Sequence, residues 1–297
     1  MKQIALICNP AAGNKEMLTS IDQIAKILHN QLAPTEVYWT KKPGDGADYL
    51  RQHANHIDLV ISAGGDGTVH ELVNALAPLP QRPMLAILPG GTCNDFSRAI
   101  GMSQNAMKAV EQILHQKKQR IDIGVGGNRY FLNFWGIGLV TQVSAGIADS
   151  SKERLGRVAY YLSAAQHVLN HQPFSLSIQT DTDSYTGEAA MVIVGNGSYI
   201  GGLQAFFPES SLQDGLLDIL VVKKPTFDVA WSLLRSRLSG TIPTGDDLLY
   251  FHTRQCTIET SPLQEIDCDG ERLDCTPTTL TVLSQHLTVL SGEKKIQ

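Results

Sequence analysis

The amino-acid sequence predicts an α/β chain of two domains, the first built on a mostly parallel sheet, the second β-rich and closed as a sandwich. Three observations carry this. Short apolar runs alternate with amphipathic stretches up to about residue 120, the pattern of right-handed βαβ units. Two of those runs end in glycine loops, Gly64-Gly65-Asp66-Gly67-Thr68 and Pro89-Gly90-Gly91-Thr92. From about Ile121 strand-like segments and glycine turns such as Gly126-Gly127-Asn128 take over. The boundary therefore falls near Asp122, giving residues 1–122 and 123–297, with the extreme C-terminus able to return to the first domain.

Ile4–Cys8 is an apolar run stopped by Asn9-Pro10, a buried strand with its turn. Met17, Leu18, Ile21, Ile24, Ala25, Leu28 and Leu32 then share one helix face. Val37-Tyr38-Trp39 is a second strand, and Ala47, Leu50 and Ala54 mark a short helix. Leu59-Val60-Ile61 is the third strand; Val69, Leu72, Val73 and Leu76 line the helix after its glycine loop. Leu85–Leu88 is the fourth strand, followed by a helix over about Asn105–Gln116. In the second domain, strands are predicted at Ile121–Val125, Arg129–Trp135, Phe174–Thr180, Gly187–Gly195, Leu216–Val222, Thr253–Thr260, Thr279–Leu283 and His286–Leu290. Helices are predicted at Leu155–Leu169 and Phe227–Ser239.

The composition, 42% hydrophobic and 18% charged, suits a folded chain with a core. The formal net charge is -5 and no basic block or DNA-binding motif stands out, which argues against nucleic acid as a partner. Cys8, Cys93, Cys256, Cys268 and Cys275 include no C-x-x-C pair. Reduced thiols in a cytosolic protein are expected, rather than a zinc site or a disulfide framework. The first apolar run is too short for a signal peptide. The longest apolar stretch, around Tyr130–Val140, is broken by Asn133, Gly136 and Gly138 and falls short of a membrane span. Membrane contact is expected to be peripheral.

The loop Gly64–Thr68 joins a strand to a helix. Its glycines let the backbone approach a phosphate. The N–H groups of the following helix favour an anion, with Thr68 as the expected cap. Asp66 would repel a bare phosphate; it makes sense through Mg2+, or in the proton network of an accepting hydroxyl. The plainer alternative is a glycine turn whose Asp caps the helix. The second loop, Pro89-Gly90-Gly91-Thr92-Cys93-Asn94-Asp95, weakens that alternative. Two such loops at the C-terminal ends of parallel strands lie where open α/β sheets bind ligands. Asn9-Pro10-Ala11-Ala12-Gly13-Asn14-Lys15 is a third loop of this kind, weaker alone. No G-x-x-x-x-G-K-[ST] occurs, and no G-x-G-x-x-G opens the first helix, so neither a P-loop nor a Rossmann site is indicated. Asp267-Cys268-Asp269-Gly270-Glu271 displays carboxylates suited to general-base work, or is an ordinary Asp-Gly hairpin turn. Gln213-Asp214-Gly215-Leu216-Leu217-Asp218 is equally open.

Taken in order, Asn9–Gly13, Gly64–Thr68, Pro89–Arg98, Asn196–Asp218 and Asp269–Glu271 resemble the NPxxG, GGDGT, PxGTxNDFxR, NG…GG…P…DGxxD and DGE motifs of bacterial diacylglycerol kinases. These lipid kinases share a catalytic domain with eukaryotic diacylglycerol and sphingosine kinases. The stretch 139–144 is similar to the soluble Gram-positive branch. The resemblance spans nearly the whole chain. It implies a three-layer α/β nucleotide-binding domain like those of NAD kinase and phosphofructokinase, a C-terminal β-sandwich domain, and ATP with Mg2+ in the cleft. It places Asn9, Pro10, Gly13, Thr40, Gly65, Asp66, Gly67, Thr68, Glu71 and Thr92 at ATP, with Asp66 also in the active-site network. Asp269 or Glu271 becomes the proton acceptor. A structural Mg2+ is implied on the Asp214 carboxylate and the carbonyls of Ser211 and Leu216, coupled to the cleft by Asp122 through water. Two positions depart from the pattern. Gln213 stands where relatives often carry a second acid, and Gly138-Leu139-Val140 replaces a Gly-Phe-Asp element, which bears on the lipid subgroup.

The function so implied is an ATP-dependent lipid kinase acting on diacylglycerol, with phosphatidylglycerol, a sphingoid base or another lipid alcohol as alternatives. It would be cytoplasmic, peripherally membrane-associated and a homodimer. Lys15, Arg98, Lys152, Arg154 and Arg157 are candidate contacts to anionic lipid, although for the last three a solvated surface is the stronger reading. Asp66→Ala and Asp269→Asn are expected to abolish turnover in a protein that stays folded. One rival is a kinase of a soluble acceptor, as NAD kinase is. Another is a non-catalytic nucleotide- or lipid-binding module, against which Asp66 and Asp269–Glu271 argue.

Overall fold

The computed structural model describes residues 1–13, 15–141, 172–202, 204 and 206–293. The predicted helix at 155–169, the stretch 142–144, and Lys152, Arg154 and Arg157 lie outside the described residues. The chain divides into two compact units, Met1–Ile123 with Ser284–Gln297, and Gly124–Leu283.

In the first unit, β1 (Ile4–Cys8) lies between β2 (Thr35–Trp39) and β3 (Leu59–Gly64), with β4 (Met84–Pro89) beyond β3. All three pairings are parallel. The near-continuous apolar runs of β1 and β3 are buried throughout, as strands covered on both faces require. The single predicted N-terminal helix is two, α1 (Lys15–Thr19) and α2 (Ile21–Gln31), interrupted at Ser20. Helix α2 buries Ile21, Ile24 and Leu28. Helix α3 (Asp45–His53) buries Ala47 and Leu50, and α4 (Asp66–Leu76) buries Val69, Leu72 and Val73. A short α5 (Asp95–Ala99) precedes α6 (Ala106–Leu114), which buries Ala109, Val110 and Ile113. The returning C-terminal strand adds to this sheet, Val289 pairing parallel with Leu85.

The second unit begins within β5 (Lys118–Gly126) and holds β6 (Arg129–Phe131), β7 (Phe134–Gly138), β8 (Phe174–Thr180), β9 (Ser184–Ala189), β10 (Met191–Gly195) and β11 (Leu217–Val222). Helix α7 (Phe227–Ser239) follows, then β12 (Leu248–Thr253), β13 (Gln255–Ser261), β14 (Glu265–Cys268), β15 (Glu271–Cys275) and the first part of β16 (Thr278–Leu290). One antiparallel sheet runs β16–β13–β8–β9, the other β12–β11–β10–β7–β14–β15. Trp135, Ile137, Val192, Val194 and Ile219 of one face Phe174, Ile178, Ile258 and Leu280 of the other in a common core, so the unit is a β-sandwich. On the second sheet's other face, Phe134, Ile193 and Leu220 pack with Phe207 and with Val229 of α7.

Several predicted strands are divided differently. Gly187–Gly195 is β9 and β10, which lie in different sheets and part at Ala190, whose N–H donates to the Val222 carbonyl at 2.8 Å. Thr253–Thr260 spans the end of β12 and most of β13. Thr279–Leu283 and His286–Leu290 are one strand, β16, which crosses from one unit to the other. No helix among the described residues is long and apolar enough to cross a membrane.

Candidate active site

Because β3 and β4 are parallel neighbours, the glycine loops leaving their C-terminal ends meet. Gly90 donates its N–H to the Gly64 carbonyl at 2.8 Å. A Cβ on Gly91 would stand 2.8 Å from the Gly65 Cα, and one on Gly65 would stand 3.2 Å from the Gly91 Cα. Two glycines facing each other permit this approach.

Asp66 locks the pair. It opens α4, with Gly65 as N-cap, and its two carboxylate oxygens accept the N–H groups of Asn94 and Asp95, each at 2.8 Å. Those N–H groups begin α5, so the carboxylate caps a helix other than its own. Asn94 adopts a left-handed φ of 52°. Its Oδ1 accepts the Gly91 N–H at 2.8 Å, while Nδ2 donates to the Gly91 carbonyl at 2.9 Å and to Gln104 Oε1 at 3.0 Å. Thr68 is not the helix cap the sequence suggested, because α4 starts two residues before it. It is buried in the first turn, where its Oγ1 accepts from Asn9 Nδ2 at 3.0 Å. That bond ties the third loop to the first. Asn9 Oδ1 also accepts the Ala11 N–H at 2.9 Å. Pro10, Gly13, Gly67 and Thr92 are exposed.

Thr40 follows β2 and donates its N–H to the Cys8 carbonyl at 2.9 Å. Glu71 reaches the start of α3, accepting the N–H groups of Gly44 and Ala47 at 3.0 Å each. It therefore caps the helix that follows the Thr40 loop. Asp122, fully buried in β5, accepts the Gln285 N–H at 2.6 Å. Arg98 Nε donates to the Cys93 carbonyl at 2.7 Å, and Lys15 lies exposed at the start of α1.

In the second unit Asp269 occupies the β14–β15 turn at φ 52° and is 9% exposed. Its carboxylate accepts three backbone N–H groups, from Leu132 at 2.7 Å, Asn133 at 3.0 Å and Phe134 at 2.9 Å. This breaks the predicted strand Arg129–Trp135 into β6 and β7, since N–H groups turned to a side chain cannot continue a ladder. Asp267 tightens the same turn, accepting the Gly270 N–H at 2.7 Å. Glu271 opens β15 opposite Cys268; it is exposed, and its side chain makes no hydrogen bond or ion pair among the described residues.

Ser211, Asp214 and Leu216 share one turn. Asp214 Oδ1 accepts the Leu216 N–H at 3.0 Å, and Ser211 Oγ accepts the Gln213 N–H at 3.2 Å. A carboxylate and two carbonyls would be an all-oxygen donor set, the chemistry that suits Mg2+. Further along, Asp218 is 3% exposed and pairs with His252 Nε2 and the Tyr250 hydroxyl. Burial, followed by the carboxylates of Asp218, Glu209 and Asp214, pushes the Tyr250 hydroxyl far above its ordinary range, so it stays protonated and donates to Asp218.

Residues 3–125 match the diacylglycerol kinase catalytic domain, and residues 136–291 match the YegS C-terminal NAD kinase beta sandwich-like domain. The chain belongs to the diacylglycerol kinase family of lipid kinases. It is 29% identical to a diacylglycerol kinase of Bacillus subtilis (strain 168) over 299 residues, covering 100% of this chain and 99% of that one. It is 28% identical over 291 residues to one of Staphylococcus saprophyticus, covering 98% and 95%. A crystal structure of a diacylglycerol kinase from Bacillus anthracis str. Sterne superposes with a TM-score of 0.85 at 36% identity, covering 98% of this chain and 97% of that one.

Three supporting elements come into view only in the folded chain. The Asn94–Asp95 N–H pair was readable in principle, because Asn before Asp at a loop exit suits a left-handed residue followed by a helix start. The capping role of Glu71 depends on α3 lying beside α4. The Asp218–His252–Tyr250 cluster arises from the β11–β12 register, which sets Asp218 opposite His252, and no local pattern encodes that.

Proposed function

We propose that this chain transfers the γ-phosphoryl group of ATP to the free hydroxyl of diacylglycerol, giving a phosphatidic-acid-type product. The observation that carries the reading is the clasped pair of glycine loops with Asp66 across it, in a chain of a lipid kinase family. With no Cβ at Gly65, Gly67 and Gly91, backbone N–H groups can come close to phosphate oxygens. In this reading Thr68 and Thr92 border the phosphates, and Asn9, Pro10, Gly13 and Thr40 border the rest of the nucleotide. Asp66 and Glu71 hold the loops and α3 in place.

The acceptor oxygen attacks the γ-phosphorus in line as the bond to the bridging oxygen of ADP breaks, and its proton passes to a carboxylate. Glu271 is the better assignment than Asp269, whose oxygens already accept three N–H groups. Mg2+ would supply positive charge against the transferring oxygens. A second Mg2+ would be held by the Asp214 carboxylate and the carbonyls of Ser211 and Leu216. The protein works at the membrane surface, without nucleic acid.

The test is transfer of labelled γ-phosphate from ATP to diacylglycerol, phosphatidylglycerol and a sphingoid base in mixed micelles, beside NAD and other soluble acceptors. Mg2+-dependent labelling of diacylglycerol is expected. Label in a soluble acceptor alone, or in none, overturns the reading.

A further inference from the structure

Helix α7 carries its largest apolar residues on the outside. Its buried side is small: Val229, Ser232 and Ser236, with Ser232 Oγ donating to the Thr244 carbonyl at 2.7 Å and accepting the Thr244 N–H at 2.9 Å. On the opposite side Phe227 is 81% exposed, Trp231 56%, Leu234 45% and Leu238 79%. Their spacings of four, three and four residues put all four in one stripe. The helix is capped at both ends. Thr226 Oγ1 accepts the Val229 N–H, and Gly240 closes the C-terminus at φ 71°. The stripe is therefore presented on a formed element.

We infer that α7 is a docking helix that seats this stripe in the headgroup layer of an anionic lipid surface. The inference rests on the proposed reading that the acceptor is a membrane lipid. Aromatic and leucine residues on one face, with cations beside them, are the composition of an interfacial helix. Arg235 follows Leu234 and Arg237 precedes Leu238, so one guanidinium lies on each flank of the stripe, in reach of phosphate as the side chains are buried. Lys224 is exposed before the N-cap, and Lys223 donates to the Asp246 carbonyl at 2.9 Å. Acidic neighbours among the described residues are Asp228 in the first turn and Asp246 and Asp247 after the helix, while the helix residues that flank the C-terminal half of the stripe include Arg235 and Arg237 and no acid. A second copy of the chain is the poorer occupant. The four side chains expose on the order of 500 Å², against the roughly 800 Å² per partner that a stable interface buries.

The test is co-sedimentation of the full chain with phosphatidylglycerol–phosphatidylcholine vesicles, with Trp231→Ser/Leu238→Ser and Arg235→Glu/Arg237→Glu as double variants. Roughly tenfold weaker binding is expected of the first pair. The second pair should lose binding to anionic vesicles, and wild-type binding should fall with salt. Quenching of wild-type tryptophan fluorescence by brominated lipid, lost in Trp231→Phe, tests the depth of insertion with a variant that keeps its fold. Vesicle binding unchanged in the double variants, or quenching unchanged in Trp231→Phe, sinks the inference. So does a shift in oligomeric state with vesicle binding intact. Phosphorylation of a short-chain, monomeric diacylglycerol should be equal in all variants. If no lipid is phosphorylated while Trp231 still inserts, the lipid kinase reading fails and the docking helix stands.

Discussion

Asp269→Ala would leave the buried N–H groups of Leu132, Asn133 and Phe134 without their acceptor. Three orphaned donors cost about 3 kcal/mol or more, and the melting temperature should fall by roughly 5–10 °C. Asp269→Asn keeps one acceptor oxygen and suits the left-handed φ, so calorimetry should find it milder. Asp269→Asn is therefore the variant in which lost turnover can be told from lost fold. Asp66→Ala would cost α5 its cap, at about 1 kcal/mol, so its turnover is to be read beside its melting temperature. Glu271→Gln separates chemistry from stability. Its carboxylate supports no described contact, so turnover should drop about a hundred- to ten-thousand-fold with the melting temperature unchanged. Near-normal turnover in Glu271→Gln would return the base to another group.

At the scale of elements, the site is a matter of which loops touch. A Gly91→Ala methyl would meet the Gly65 Cα, a backbone atom that cannot turn aside. The loops must part, at about 1–3 kcal/mol, and the KM for ATP should rise about tenfold or more with α4 still folded by circular dichroism. Glu71→Ala, which uncaps α3, should cost about 1 kcal/mol and raise the same KM less. The glycine loops were legible because each follows a buried apolar strand and precedes a helix, a local order the sequence displays. The clasp was also foreseeable, since adjacent parallel strands bring their C-terminal loops together. What escaped was set by distant pairing. The break between β6 and β7 comes from Asp269, more than a hundred residues away. The split of β9 from β10 reflects membership of different sheets, and period-two alternation reads the same in either. Helix α7 was legible to its last residue, but its outward stripe was not, because a helical apolar repeat does not say which face the fold covers.

Across the whole molecule, stability should have a plateau bounded by buried thiols on one side and a half-buried histidine on the other. Burial pushes the Cys8 and Cys256 thiols up to about 12 from an ordinary 9.0. In the folded chain they stay protonated where the unfolded chain has already ionised them. Their contribution is full below pH 9 and is lost as pH climbs from there toward 12. His286 lies at the other end. Burial, and secondarily Arg82, lower its pKa below the ordinary 6.5, against the opposing bond to the Ala77 carbonyl. The folded chain therefore holds it neutral, and its contribution, full above pH 6.5, falls as pH drops through the folded value. The melting temperature should be level between about pH 6.5 and 9 and decline on both sides. Cys8→Ala/Cys256→Ala should make the alkaline limb shallower, the Cys268 thiol, raised further by burial, carrying part of the rest, and His286→Gln should flatten the acid limb, each leaving the other as it was. The two thiols are separable in turn, because Cys8 belongs to the first unit and Cys256 to the second. If the units melt as distinct transitions, Cys8→Ala alone should act on one and Cys256→Ala alone on the other. A melting temperature flat from pH 8 to 11 in the wild type would mean that the buried thiols do not carry the alkaline limb.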